Sequence, residues 1–150
     1  MKKLSSLAAH LLTLPGVTRD QMEAFADQGK LSLTGKDLGH GLEVGRFRYD
    51  AVISIERCPG SIAELLLSFI VLWLAKYDVE RFELDLPDPD VDVSLSDEQT
   101  VDVEIGVEFD EPLVIVPDPE GPLAFEGAQW RVGDAGINVA ENLAGLEAVR

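Results

Sequence analysis

Three side chains in this sequence have the chemistry of a nucleophile or a base, namely Cys58, His10 and His40. Nucleophilic catalysis needs a thiol or hydroxyl beside a base, in a cleft that holds a substrate. Cys58 stands directly before Pro59, and His40 lies between two glycines, so neither position offers a neighbour that would activate the thiol. A Cys58–His40 dyad is the alternative. We expect instead a buried thiol, two surface imidazoles and no enzymatic activity.

Carboxylates cluster between residues 88 and 98, and clustered oxygen ligands are what calcium prefers. The EF-hand spacing fails, because Val93 occupies the glycine position and Gln99 the position of the last glutamate. Aspartates that alternate with apolar residues are instead typical of the solvated face of a strand. The glycines of residues 35–45 also lack the spacing of a nucleotide-binding loop. We therefore expect no metal site and no cofactor.

The net charge of −16 is confined to one part of the chain. Residues 1–57 contain eight basic and seven acidic side chains, whereas residues 78–127 contain seventeen acidic side chains and one base, Arg81. Nucleic-acid binding requires clustered Lys and Arg, so specific binding to DNA or RNA is not expected. An acidic wall would repel DNA, which suits a channel that must not hold its cargo.

The single cysteine excludes an internal disulfide and is compatible with a reducing cytoplasm. The longest apolar segment, residues 62–75, is shorter than the roughly 20 residues of a membrane span. We therefore expect a soluble protein without a membrane partner.

Three helices are predicted from apolar spacing and capping residues. Leucines and alanines at helical spacing predict a helix over residues 4–12. Thr18 and Gln21 form a capping-box pattern for a second helix that ends at Gly29. A third helix, residues 62–77, follows a Ser61–Glu64 capping box and is apolar in nearly every direction. Because one sheet face covers only one side of such a helix, a second chain is expected on the other side.

Alternating apolar and polar residues predict strands, most clearly at residues 46–55 and 101–109. Residues 35–45 carry four glycines and no period, which predicts a loop. Weaker strand patterns occupy residues 31–34, 82–86, 91–95, 113–116, 123–125 and 129–132. The order of elements predicts an α+β fold, a mostly antiparallel sheet with two or three helices packed on one face. We expect one domain over residues 1–132 and a loosely ordered C-terminal arm over residues 133–150.

Two kinds of surface residue are candidates for function. Phe69, Trp73 and Trp130 are large aromatic side chains, which frequently anchor contacts between subunits. Core packing is the alternative for each tryptophan. Asp102, Glu104 and Glu108 alternate with apolar residues and predict an acidic surface on one face of a strand.

Six segments, in this order, carry a resemblance to a known family: 24–30 (AFADQGK), 49–55 (YDAVISI), 58–60 (CPG), 71–74 (VLWL), 101–108 (VDVEIGVE) and 110–114 (DEPLV). Together they span roughly residues 4–129. The chain resembles the tail completion protein R (GpR) family of contractile-tailed temperate bacteriophages. No catalytic residues are implied by this resemblance.

The resemblance implies a structural subunit that acts late in tail assembly in the host bacterial cytoplasm and then stays in the virion tail. Such a subunit would close the head-proximal end as a ring of its own copies, expected to number six, against the tube and sheath proteins. The head–tail connector would be a further partner. Phages, prophages and headless tail-like bacteriocins all use such parts. The alternatives are another neck or connector subunit and, less favoured, a metal-binding or small-molecule enzyme.

Overall fold

The computed structural model describes residues 1–133 of the 150. Over that range the chain forms two α-helices, α1 (Lys2–Leu11) and α2 (Ala63–Tyr77), and six strands. The strands are β1 (Met22–Asp37), β2 (Leu42–Pro59), β3 (Asp90–Leu95), β4 (Thr100–Pro117), β5 (Leu123–Phe125) and β6 (Ala128–Val132). The predicted α+β class is confirmed.

The strands form one sheet in the order β1-β2-β4-β6-β5, and β3 pairs with β4 outside this path. The β3–β4 pair is antiparallel and places Val93 opposite Val103. Further along β4, Ile115 lies opposite Val132 of β6, and β6 also pairs with β5. Within residues 1–133, β1 pairs with β2 alone and β3 with β4 alone. Each of these two strands therefore has one unpaired edge.

The chain divides into two compact units. The first comprises Met1–Gly29 and Arg48–Asp110, and the second comprises Lys30–Phe47 and the chain from Glu111 onward. Both helices and β3 belong to the first unit, and β5 and β6 belong to the second. A single domain over residues 1–132 stays a prediction. Of the predicted C-terminal arm, residues 134–150 lie outside the described part of the chain.

The core of the first unit follows from the two-residue alternation of β2 and β4. Leu4 of α1 donates its N–H to the Tyr49 hydroxyl at 3.3 Å, and Trp73 of α2 meets Phe109 edge-on with 6.3 Å between ring centroids. The helices thus cover the apolar side of the two strands. The buried residues of the strands are Tyr49, Ala51, Ile53, Ile55, Val103, Ile105, Val107 and Phe109. Those of the helices are Leu4, Leu7, Leu11, Leu66, Ile70, Trp73 and Leu74.

Helix α2 is preceded by a 3₁₀ turn, Gly60–Ile62. The helix makes no side-chain capping bond, so the predicted Ser61–Glu64 capping box does not form there. Counted with its 3₁₀ turn, the segment Gly60–Tyr77 has 18 residues and is long and apolar enough to span a membrane. Core helices of soluble proteins meet the same criterion. The absence of a membrane partner therefore stays a prediction.

Two predictions near the N-terminus are wrong. Thr18 and Gln21 do form a capping box, but around a single 3₁₀ turn, Arg19–Gln21, after which the chain continues as β1 instead of a helix. The predicted loop over residues 35–45 is mostly strand, with a tight turn in which the Leu38 N–H donates to the Gly41 carbonyl at 2.8 Å. Pairing between β1 and β2 satisfies the backbone of both segments, and this tertiary contact overrides weak local preferences.

The strand predicted at residues 82–86 is also wrong. A 3₁₀ turn, Val79–Arg81, is followed by further turns, with the Leu84 N–H donating to the Glu80 carbonyl at 2.9 Å and Asp85 at φ 57°. Arg81 is turned inward, where its guanidinium binds Asp78. This ion pair holds the chain in a tight turn that an extended strand could not make. The strands predicted at residues 31–34 and 113–116 are parts of the longer β1 and β4.

Candidate assembly surface

The outer face of α2 is apolar although the helix already has a filled core face. Leu66, Ile70 and Trp73 pack inward, whereas Leu65 and Leu72 on the opposite side are 48% and 68% exposed. A surface helix of a monomeric protein normally carries polar residues on its solvent side. Exposed leucines at helical spacing therefore mark a face that is suited to contact another protein.

An apolar groove of about 440 Å³ runs between α2 and the segment after it. Val71 and Phe82, which are 61% and 74% exposed, line it together with buried Ile70 and Leu74. The other lining residues are Leu67, Ala75, Arg81, Asp88, Pro89 and Val91. The lining is mostly aliphatic and aromatic, so the groove is suited to an apolar side chain and not to a polar substrate.

A buried ionic cluster holds the wall of this groove. The Asp78 carboxylate, which is fully buried, accepts bonds of 2.6 Å from both Lys3 Nζ and Arg81 Nη1. Lys3 also donates to Glu80 Oε1 at 2.9 Å, and Arg81 Nη2 donates to the Pro87 carbonyl at 2.9 Å. Because the Arg81 guanidinium binds both Asp78 and the Pro87 carbonyl, the backbone before and after Arg81 is held in place. Phe82, the next residue, is held at the surface.

Strand β3 continues the apolar face of the first unit, but no residue between 1 and 133 covers it there. Val91 and Val93 lie opposite Ile105 and Val103, and residues paired across antiparallel strands share a face. Ile105 and Val103 are buried, whereas Val91, Val93 and Leu95 are all exposed. We call Val71, Phe82, Val91, Val93 and Leu95 the apolar edge surface. The sequence pattern predicted the strand at residues 91–95 but gave no sign that its apolar face is left open.

The three residues of the predicted acidic surface have different local partners. Glu104 is exposed and lies opposite Asp92, so two carboxylates face each other across the β3–β4 pair. Asp102 accepts the Arg57 N–H at 3.0 Å, and Glu108 forms an ion pair with Arg48. Asp92, Asp102 and Glu104 also border a shallow, polar depression. Within residues 1–133, no group of three His, Cys, Asp or Glu side chains is arranged to hold a metal ion.

The three predicted interface aromatics differ in exposure. Trp73 is only 6% exposed and packs against Tyr77 and Phe109 in its own unit, so it supports α2 from beneath. Phe69 is half-buried and stacks on His10, with 5.0 Å between the ring centroids. Trp130 is half-buried in β6, and its Nε1 donates to the Phe125 carbonyl at 2.9 Å. Their roles in a subunit contact stay predictions, and Leu65 and Leu72 present more apolar surface to a partner than Trp73 does.

In the second unit, the end of β1 is exposed on both faces. Leu31 and Leu33 are 65% and 93% exposed, and Lys30 and Lys36 are exposed on either side of them. We call residues 30–37 the β1 tip. The tip is held to β2 by close backbone packing, since a Cβ on Gly45 would lie 2.7 Å from the Ser32 carbonyl oxygen. Sequence reasoning predicted a short strand over residues 31–34 and did not identify it as a functional surface.

Within residues 1–133, the side chains with catalytic chemistry show no local sign of activation. Burial raises the pKa of the Cys58 thiol, and this is the opposite of what an activated nucleophile requires. Burial lowers the pKa of His10, which stacks on an aromatic ring. His40 is exposed in the β1–β2 turn of the second unit. The most distinctive features of the described residues are thus the exposed apolar surfaces of α2, β3 and the β1 tip.

Two comparisons with known proteins agree with this interpretation. The family model of P2 phage tail completion protein R (GpR) matches residues 1–134. A protein of Haemophilus phage HP1 (strain HP1c1), described as an uncharacterized 19.2 kDa protein in the rep-hol intergenic region, is 29% identical over 141 residues. That match covers 91% of this chain and 85% of the relative. No solved structure matches the chain.

Proposed function

We propose that this chain, which belongs to the P2 phage tail completion protein R (GpR) family, closes the end of the tail as a ring of its own copies. A phage tail structural role follows from the family membership. The ring would form at the head-proximal end of a contractile tail, with six copies to match the six-fold symmetry expected of the tail. Its function would be binding and not catalysis.

The observation that carries this proposal is the exposed apolar face of α2. Leu72 and Leu65 remain uncovered while Trp73 and Ile70 fill the core beneath the same helix. Burying apolar surface contributes about 25 cal/mol per Å², so two leucines that are covered on assembly supply a few kcal/mol. Aliphatic residues on the surface of a helix reduce solubility unless a partner covers them. A protein that works as part of a larger particle has such a partner.

Ring closure follows from the type of contact. Identical subunits that join through two different surfaces form a closed ring when the rotation between neighbours divides the circle. The tip of the tail tube would supply this rotation, and the ring would cover the last tube and sheath layer, so that no further layer is added. The exposed carboxylate Glu104 would then face solvent or the lumen, where it would repel DNA.

The test compares a leucine on the proposed face with an exposed apolar residue elsewhere. Leu72→Ser removes a side chain from the outer face of α2, and Val79→Ser removes one of similar exposure, 59%, from the turn that follows. Each variant is supplied to cells that carry a phage lacking this gene, and infectious particles and completed tails are counted. We expect Leu72→Ser to reduce completed tails by about tenfold or more, as interface anchors do. Val79→Ser should complete tails normally.

Normal completion of tails by Leu72→Ser would remove the outer face of α2 from the proposal. Binding partners give a second test, in which the purified chain is incubated with tail tubes and, separately, with head–tail connectors. Retention on tubes alone supports tail completion. Retention on connectors alone supports a neck subunit and contradicts the proposal.

A further inference from the structure

Two surfaces of this chain carry opposite charge and matching apolar side chains. The first is the β1 tip, where Lys30 and Lys36 bracket the exposed Leu31 and Leu33 and no carboxylate occurs between them. Neither lysine forms an ion pair with any residue in the described range 1–133. Asp37, the last residue of the tip, accepts the Gly39 N–H at 2.8 Å. The tip therefore combines two lysines with an apolar centre and an unpaired strand edge.

The second surface is β3 with the groove beside it. Its apolar part is the apolar edge surface, of which Phe82 is 74% exposed. Its charged part is acidic, since Asp88, Asp90 and Asp92 are exposed along this edge. Neither Asp90 nor Asp92 forms an ion pair inside the described part of the chain. Arg81, which lines the same groove, is buried and bound to Asp78.

An unpaired edge strand is a place where another strand adds, because its backbone N–H and C=O groups lack partners. Proteins that remain monomeric protect such edges with charges placed among the apolar residues. Here the charges at the two edges are of opposite sign, with two lysines at the β1 tip and aspartates on β3. Two copies of either surface would repel each other, whereas one copy of each would attract.

We propose that the β1 tip of one subunit binds the β3 edge and the adjoining groove of the next subunit. Leu31 and Leu33 cover the apolar edge surface, and Lys30 and Lys36 pair with the aspartates around it. The two surfaces differ, so the contact is heterologous; it generates a ring when the rotation between neighbours closes, and not a two-fold dimer. This inference rests on the proposed function and adds to it the pair of surfaces through which the copies meet.

Charge exchange tests the pairing directly. The variants are Lys30→Glu with Lys36→Glu, Asp90→Lys with Asp92→Lys, and all four changes combined. The control, Glu120→Lys with Glu126→Lys, alters the net charge by the same amount as the aspartate pair, at exposed positions in the β4–β5 and β5–β6 turns. Each purified full-length chain is mixed with tail tubes from particles that lack this protein, and capped tube tips are counted by electron microscopy.

We expect each two-residue variant to reduce capped tips by about tenfold or more, since like charges brought together at an interface cost several kcal/mol. The four-residue variant should recover most of the capping, and the control should cap normally. A four-residue variant that melts like the wild-type chain but does not recover would overturn the pairing.

A second measurement uses the wild-type chain and does not depend on how the variants fold. A carbodiimide joins a lysine amine to a carboxylate only when the two are in contact. Capped tails treated in this way should yield peptides that join Lys30 or Lys36 to Asp88, Asp90 or Asp92 of a neighbouring copy. Rings without these links would refute the pairing and leave the ring intact. A wild-type chain that caps no tube and never associates would remove the proposed function together with this inference.

Discussion

Replacing Asp78 with asparagine should destabilise the first unit more than any other conservative change of a charged residue. The carboxylate is fully buried and binds two cations, Lys3 and Arg81, each at 2.6 Å. Removing one partner of a buried ion pair costs about 3–5 kcal/mol, because the other charge stays buried without compensation. Arg81 is only 4% exposed and cannot turn to water, whereas Lys3 retains Glu80 and the Asp110 carbonyl.

We therefore expect Asp78→Asn to lower the free energy of unfolding by about 3 kcal/mol, most of it through Arg81. For a chain of this length such a loss lowers Tm by about 10 °C. Urea unfolding followed by circular dichroism measures the free energy of unfolding, and a thermal melt measures Tm. Glu120→Gln, which neutralises an exposed carboxylate, serves as the control and should change stability by less than about 0.5 kcal/mol.

A loss below about 1 kcal/mol for Asp78→Asn would show that water reaches the cluster and that the argument from burial fails. The double variant Asp78→Leu with Arg81→Met provides a second check. It removes both of the most buried charges and replaces them with apolar side chains, so its stability should lie within about 2 kcal/mol of the wild-type chain. A double variant less stable than Asp78→Asn would contradict the same reasoning.

Three further changes have expected outcomes. Trp73→Ala should lower the free energy of unfolding by about 3–5 kcal/mol in urea melts, because it leaves a cavity against Phe109. An unfolding curve like that of the wild-type chain would show that Trp73 does not contribute to the core. Since burial lowers the pKa of His10, the unfolded chain binds the proton more readily than the folded chain. The contribution of His10 to the free energy of unfolding should therefore be fully present above about pH 6.5 and decrease as the pH falls below that value. His10→Gln should abolish this part of the pH dependence of urea unfolding. Gly41→Ala should destabilise the second unit, since the Cβ of the alanine would lie 2.5 Å from the Ile115 carbonyl oxygen. Unchanged rates of amide hydrogen exchange in β2 would contradict this prediction.

The parts of the fold that the sequence predicts correctly are those with a strong and sustained period. Residues 101–109 alternate without a break, and the odd-numbered members from Val103 to Phe109 are buried as expected. The first helix is likewise found at Lys2–Leu11, because leucines at helical spacing give it one apolar face. In both segments the local preference and the tertiary environment favour the same structure.

The predictions fail where the chain's own pattern is weak and a distant segment decides. Phe25 and Ala26 suggest the face of a short helix, yet pairing with β2 draws them into β1. The predicted strand at residues 82–86 fails because Arg81 turns inward to Asp78, a contact that no local pattern encodes.

The candidate surface could be predicted only in part. The all-round apolar character of α2 indicated that one of its faces would lack cover, and Leu65 and Leu72 are the residues that remain exposed. Aromatic size favoured Trp73 as an anchor, but a tryptophan on the core side of the helix is covered by its own chain. The open face of β3 could not be foreseen, because its alternation is the same as that of a covered strand.

The central position of β4 determines how late in its synthesis this chain can complete its fold. Strand β2 pairs with β1 on one side and needs β4 on the other, and β3 and β6 also pair with β4. While the ribosome is still translating, a nascent chain that ends before Thr100 holds a β1–β2 hairpin in which β2 lacks its second neighbour in the sheet. Closing such long loops is slow relative to local folding. Translation must therefore be almost finished before a copy can join a tail, and a premature stop codon ahead of β4 would yield no usable subunit rather than a weaker one.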